Sequence, residues 1–182
     1  MNIRLLGRLG LLTLSAAMAL GIVAPVLAAP AMPVVNGTVD RLVPANLLPK
    51  EAGQLGVSRV AVVDGVTVLF PSSTTMGGQL TVGEKVGVSG QVKAVMPGEI
   101  MVKKGSPQLT IQGKYVSLVG RIDRIEAAPP IVKISHPEIN QMLVINGVYV
   151  PVTAVKGMNS LKVGTHVKVR GVIDVIMADK MV

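Results

Sequence analysis

The chain repeats itself. The pattern LxVGxxVxVxG occurs at Leu80, Val82, Gly83, Val86, Val88 and Gly90, and again at Leu161, Val163, Gly164, Val167, Val169 and Gly171. Two earlier landmarks keep step with it. Asp64-Gly65 inside VAVVDGVTVLF answers to Asn146-Gly147 inside MLVINGVYVPV, and GTVDRLV at Gly37 answers to GRIDRIE at Gly120. The offsets are 83, 82 and 81 residues, so three landmarks hold register with single-residue slips. A duplicated unit of about 80 residues restricts the fold more than any composition does, because whatever one copy forms the other must be able to form.

Each landmark has a local physical reading. Asp-Gly and Asn-Gly between alternating apolar residues predict a two-residue hairpin, since a type I′ turn needs positive φ at both central positions. In the long motif, Gly83 and Gly164 permit a positive-φ turn into a strand. Val86 and Val88, like Val167 and Val169, then share one face at period two. Gly90 and Gly171 allow a bulge or a sharp coil, as a small barrel requires. A further hairpin is predicted after each motif, at Pro97-Gly98 and at Ala178 to Lys180. The chain would then end just as the second return strand begins to pair, complete or only slightly trimmed. The stretches 44–56 and 127–141 share little and read as loops, and nothing outside the N-terminal segment sustains a helical period.

The expected fold class is therefore all-β, two tandem small OB-like barrel units covering 35–103 and 104–182, with a single β-sandwich built from both halves as the alternative. The order GxV, xGVxV hairpin, LxVGxxVxVxG and a GxI-type return strand resembles a domain of unknown function that recurs, often in tandem, in secreted bacterial proteins and is thought OB-like. That resemblance covers most of 35–182. KYVSLVGRIDRI, beginning at Lys114, is also similar to the first strand of periplasmic bacterial OB-fold proteins. The resemblance implies export, a barrel, and ligand or stress-related binding, and it brings no catalytic residues with it.

Residues 1–28 read as a signal peptide: Arg4 and Arg8, an apolar stretch from Leu9 to Val23, and a small-residue cleavage site at Val26-Leu27-Ala28. Residues 29–34, with two prolines, read as a flexible leader. The expected location is periplasmic or extracellular, with no transmembrane span in the mature chain. There is no cysteine, so an exported form depends on its core alone. That core must be Val, Ile, Leu and Met, because the only aromatic residues are Phe70, Tyr115 and Tyr149. Charge divides unevenly: residues 29–102 balance, whereas 103–182 carry eleven Lys and Arg against five Asp and Glu. An anionic partner should find the second half.

No catalytic residues are expected. HExxH, GxSxG, a phosphate-loop glycine run and paired cysteines are all absent from the sequence, and Ser89 in GVSG corresponds to Arg170 in the other copy. No metal or cofactor is expected either: His136 with Glu138, or Met96, Met101, Met177 and Met181, form no tight ligand set. The sharpest binding candidate is a basic stripe. Alternation puts His166, Lys168 and Arg170 on one strand face, with Lys162 near in sequence and Arg121, Arg124 and Lys133 expected to adjoin. The plain alternative is a solvated face that discourages sheet pairing. As a site it would take an anionic polymer: nucleic acid, anionic lipid or glycan. Nucleic acid is the weakest of these, because three aromatics supply few stacking platforms. An unknown protein partner and self-association through a sheet edge are the other expectations. Asp40-Arg41 and Asp123-Arg124 recur at matching positions and are expected to form cross-strand or strand-to-loop ion pairs that help fix the first strand of each unit.

Overall fold

The computed structural model describes residues 34–48, 50–133, 135–152 and 161–182; the expected signal peptide, and the leader as far as residue 33, lie outside them. The described chain is all-β. Its strands are β1 (Val34–Val43), β2 (Val57–Val63), β3 (Val66–Pro71), β4 (Thr75–Met76), β5 (Lys85–Val102), β6 (Gln108–Gln112), β7 (Tyr115–Ala127), β8 (Gln141–Ile145), β9 (Val148–Pro151) and β10 (His166–Met181). Two short helices, α1 (Lys50–Gln54) and α2 (Pro130–Lys133), lie in the β1–β2 and β7–β8 connections. Both Asx-Gly hairpins form as expected. Asp64 and Gly65 have φ of 45° and 79°, and Asn146 and Gly147 have 52° and 76°, the left-handed pair that a type I′ turn demands. Gly83 and Gly164 also take positive φ, at the entries to β5 and β10.

All ten strands belong to one sheet that closes on itself. β1, β2 and β3 form an antiparallel meander. β3 then pairs in parallel with the C-terminal part of β10, with Thr67 opposite Val175. β10 pairs antiparallel with β5, and the first residues of β5 return to β1, with Val88 opposite Val35. A second circuit repeats the scheme. β7, β8 and β9 form a meander, β9 meets β5 in parallel at Tyr149 and Ala94, and the first part of β10 returns to β7. Each long strand therefore serves both circuits. A division between 103 and 104 separates the repeats in sequence, but the sheet runs across it, because β5 and β10 are paired from Val88 to Val102. The sheet's outer strands are β4 and β6.

The return hairpins expected at Pro97-Gly98 and at Ala178 to Lys180 are not turns. β5 runs through the first and β10 through the second. The register shows why: Arg170 faces Glu99 and Gly171 faces Pro97, so Gly98 is an extra residue, a β-bulge. A bulge is one of the few places where a strand tolerates proline, which has no N–H for the ladder. Asp179 is the matching extra residue on β10, and nearer the centre Lys93 and Asp174 are bulged as well. These four form two pairs, each 81 residues apart, arranged about the facing residues Ala94 and Val175. The ribbon has local twofold symmetry.

Gly90 and Gly171 make the crossing possible. A Cβ on Gly90 would collide with the Met177 carbonyl, and one on Gly171 with the Met96 carbonyl. Here the need is for space, not for unusual φ. Inside the sheet, Val86, Val88, Val167 and Val169 join residues of both circuits in one continuous core. Val167 and Val169 are fully buried, contributing about 2 kcal/mol each. A second cluster lies under the helices, where Ala52, Ile131 and Val132 cover Leu69, Ala94, Met142 and Val175.

Candidate functional site: a polar face across four strands

Strand alternation places the stripe as expected. His166 and Lys168 are half-buried and Arg170 is exposed, while Val167 and Val169 between them point into the core. Pairing on both sides widens the stripe into a face, because residues in register on neighbouring strands share a side of the sheet. One row runs Glu99, Arg170, Ser117, Thr110 across β5, β10, β7 and β6. The next runs Met101, Lys168, Val119, Gln108, and beyond it His166 stands opposite Arg121. On the other side lies the row Met96, Val172, Tyr115, Gln112.

The face is hollow. A cavity of about 660 Å³ lies over Arg170, with Glu99, Thr110, Gln112, Tyr115 and Ser117 among its lining. Arg170 Nη1 is 3.6 Å from Glu99 Oε2, both side chains being half or more exposed, so this contact contributes little to stability and leaves the guanidinium available. Tyr115 is 64% exposed and offers a flat apolar ring with a hydroxyl beside these polar groups. At the end of the stripe His166 is half-buried, its Nδ1 buried without a hydrogen-bond partner among the described residues.

The remaining basic candidates sit elsewhere. Arg124 is past a bulge in β7, in register with Val144 and, across β8, with Tyr149. Its Nε donates to Glu126 Oε2 at 2.6 Å, which, with the Tyr149 hydroxyl as second contributor, holds the guanidinium above its ordinary value. Lys133 lies at the end of α2, in a separate hollow with Arg41, Leu47 and Pro130. Lys162 is exposed in the turn before β10, where its backbone N–H donates to Thr165 Oγ1 at 3.2 Å. The stripe therefore continues through Arg121 but not through Arg124 or Lys133.

The repeated Asp-Arg pairs have a different task from the one expected. Asp40 Oδ2 accepts from the Gly65 N–H at 2.9 Å, and Asp123 Oδ2 accepts from the Asn146 N–H at 2.9 Å. Each aspartate ties the tip of a hairpin to the first strand of its circuit. The hairpin residues reach back as well: Asp64 Oδ1 accepts from the Thr38 N–H, and Asn146 Nδ2 donates to the Val119 carbonyl. Gly37 and Gly120 are the points where those side chains press on the strand.

A further polar cluster is anchored on one buried acid, Asp174. His136 Nε2 is 2.9 Å from Asp174 Oδ1, and its Nδ1 is 3.3 Å from Glu138 Oε1. Asp174 is 5% exposed, and its Oδ2 has no partner among the described residues. Burial pushes its carboxyl above the ordinary range, against the opposing pull of His136. Ser135 adjoins this ring in sequence, yet its hydroxyl is bonded to Thr67, not to the imidazole. The cluster is thus a tether between the β7–β8 connection and the buried Asp174 of β10 rather than a nucleophile with its base. The His-Pro-Glu motif was visible in the sequence; its partner was not, because Asp174 in an apolar strand becomes an inward acid only through its bulge. Tyr115 was likewise overlooked, since one tyrosine gains meaning only from the neighbours pairing brings to it. In comparisons with known proteins, the chain matches no family model, no curated protein and no solved structure.

Proposed function

We infer that the protein is an exported, non-enzymatic binding module of the cell envelope or extracellular space, built from two OB-like barrels, whose working surface is the β5–β10–β7–β6 face. Export rests on the signal-peptide pattern of residues 1–28. The OB-like reading rests on the two circuits, each a three-strand meander closed by one parallel and two antiparallel pairings in a five-membered ring. The carrying observation is the alignment of Arg121, His166, Lys168 and Arg170 on one face, with Arg170 lining a 660 Å³ hollow that also takes in Thr110, Gln112, Ser117 and the exposed Tyr115.

That combination suits an acidic glycan better than a nucleic acid. Cations meet carboxylate or sulfate groups, and Thr110, Gln112 and Ser117 meet sugar hydroxyls. A lone Tyr115 stacks on one ring, whereas successive bases need a series of platforms worth about 1 to 3 kcal/mol each. Only the second repeat carries this face: the positions of Lys168 and Arg170 are Gly87 and Ser89 in the first. The test is binding of the purified chain to heparin, polygalacturonate, single-stranded DNA and anionic vesicles at low and moderate salt. Salt-sensitive glycan binding that is lost in Lys168→Glu/Arg170→Glu and weakened in Tyr115→Ala supports the reading. Glycan binding unaffected by the reversal, or absent at low salt, overturns it.

A further inference from the structure

The local twofold about Ala94 and Val175 creates two equivalent positions, and the chain fills them differently. Beside Val175 stand the bulged Asp174 and, on β3, Thr67. The segment after α2 closes over them: Ser135 bonds to Thr67, and His136 to Asp174. Beside Ala94 stand the corresponding residues of the other repeat, the bulged Lys93 and, on β9, Tyr149. No polar plug descends on this pair from the β1–β2 connection among the described residues. That connection contributes Ala52 and Leu55, and a cavity of about 350 Å³ is left, walled by these two with Ile131 and Met177.

We propose that the cavity beside Lys93 is a binding site for an amphipathic monoanion, a carboxylate on an apolar body. Its volume falls within the range of about 300 to 1,000 Å³ of small-molecule sites, and its make-up is theirs: apolar walls with a few convergent polar groups. Lys93 Nζ donates to Gln91 Oε1 at 3.0 Å, and an ammonium has three N–H groups to give. Tyr149 also lines the cavity, its hydroxyl in contact with Arg124. Lys93 is the one cation among the lining residues, so a polyanion inside would meet a single charge and then apolar walls, and a neutral apolar molecule would leave the ammonium unused. A single acidic head with an apolar remainder uses both parts. This site is separate from the basic face and does not depend on the function inferred for it.

Such a ligand could be a fatty acid or a compact aromatic acid, so the test uses decanoate and 2-naphthoate, with decanol as the neutral control. Titrations of the full chain are followed by calorimetry and by the Tyr149 NMR signals. The expected result is saturable binding of at least one acid with shifts at Tyr149. Lys93→Met should weaken the acid about tenfold, the equivalent of one charge-assisted contact, and leave decanol unchanged. Leu55→Trp, a change at a half-exposed position, should block the acid by filling the cavity. The better acid identifies the source, chain or ring. Neither acid binding, an acid binding no more tightly than decanol, or Lys93→Met leaving the acid's affinity unchanged with its melting temperature intact overturns the proposal. Lys168→Glu/Arg170→Glu should not affect this binding, which separates its failure from that of the basic face.

Discussion

β5 and β10 are the same strand written twice, and they differ most where their backbones agree best. Both are bulged at equivalent points, both have a glycine pressed against the other's carbonyl, and both place alternate valines in the core. Yet the central bulge is Lys93 in one and Asp174 in the other, one lining a cavity and one buried beneath His136. The outward positions diverge likewise, Gly87 and Ser89 against Lys168 and Arg170. A duplicated ribbon must keep the features that let it cross itself. Side chains at the crossing need only fit their own surroundings, so divergence there reports what each half does.

The most severe way to break the equivalence is at the glycines. Gly90→Val and Gly171→Val each force a side chain into a backbone carbonyl that has nowhere to go, and each should cost about 3 kcal/mol or prevent folding. Urea unfolding at constant slope reads the loss. The two losses should be similar. A variant as stable as the wild type would show that the ribbon does not cross there.

The buried acid of β10, Asp174, should reveal itself under pH. Burial raises the folded-state pKa of Asp174 above its unfolded value, so the folded chain holds that proton more tightly. Its contribution to stability is fully present below the unfolded pKa and is lost as pH rises through the folded one. Asp174→Asn should flatten this part of the stability profile. His136→Ala should cost about 2 kcal/mol at neutral pH by leaving a buried carboxylate without its partner, and part of the loss should return on acidification. Chemical denaturation across the pH series decides, and an unchanged profile in Asp174→Asn would refute the assignment.

Local features were legible in advance for a plain reason: they depend on one stretch of backbone. An Asx-Gly pair turns because of its own φ preferences, and Val167 and Val169 alternate with Lys168 because a strand has period two. What escaped was decided between strands. Pro97-Gly98 carries the dipeptide signature of a turn, and only the register against Arg170 and Gly171 makes it a bulge inside β5. The sharing of β5 and β10 between two circuits rests on pairings between residues about 45 to 110 positions apart, such as His166 with Arg121 and Val175 with Thr67. The repeated Asp-Arg pairs suggest cross-strand or strand-to-loop ion pairs, but Asp40 and Asp123 are each the extra residue of a bulge, and their carboxylates accept from backbone N–H groups at the hairpin tips. The candidate face was half visible: β10 supplied the charge pattern, while Tyr115, Ser117 and Thr110 joined it through pairing alone.

The hairpin clamps offer a finer comparison. Asp40→Ala and Asp123→Ala each free one N–H at an exposed tip and should cost about 1 kcal/mol, measured by thermal melting. If only one does, the two hairpins are not held alike.

The smallest effect should come from exchanging the turn residues themselves, and it should differ between the halves. Asp64→Asn keeps an oxygen to accept from the Thr38 N–H and removes one of two carboxylates crowded on a single turn with Asp40, so stability should stay within about 0.5 kcal/mol of the wild type or rise slightly. Asn146→Asp removes the Nδ2–H group that donates to the Val119 carbonyl, sets a carboxylate oxygen against that carbonyl, and brings a second negative charge beside Asp123. It should cost about 1 kcal/mol. The same chemical exchange, run in opposite directions at equivalent positions, thus asks whether each turn residue is fitted to its own strand: asparagine would be tolerated at both sites and aspartate at only one. Equal melting temperatures for Asn146→Asp and the wild type would mean that the amide contact to Val119 is not made in solution.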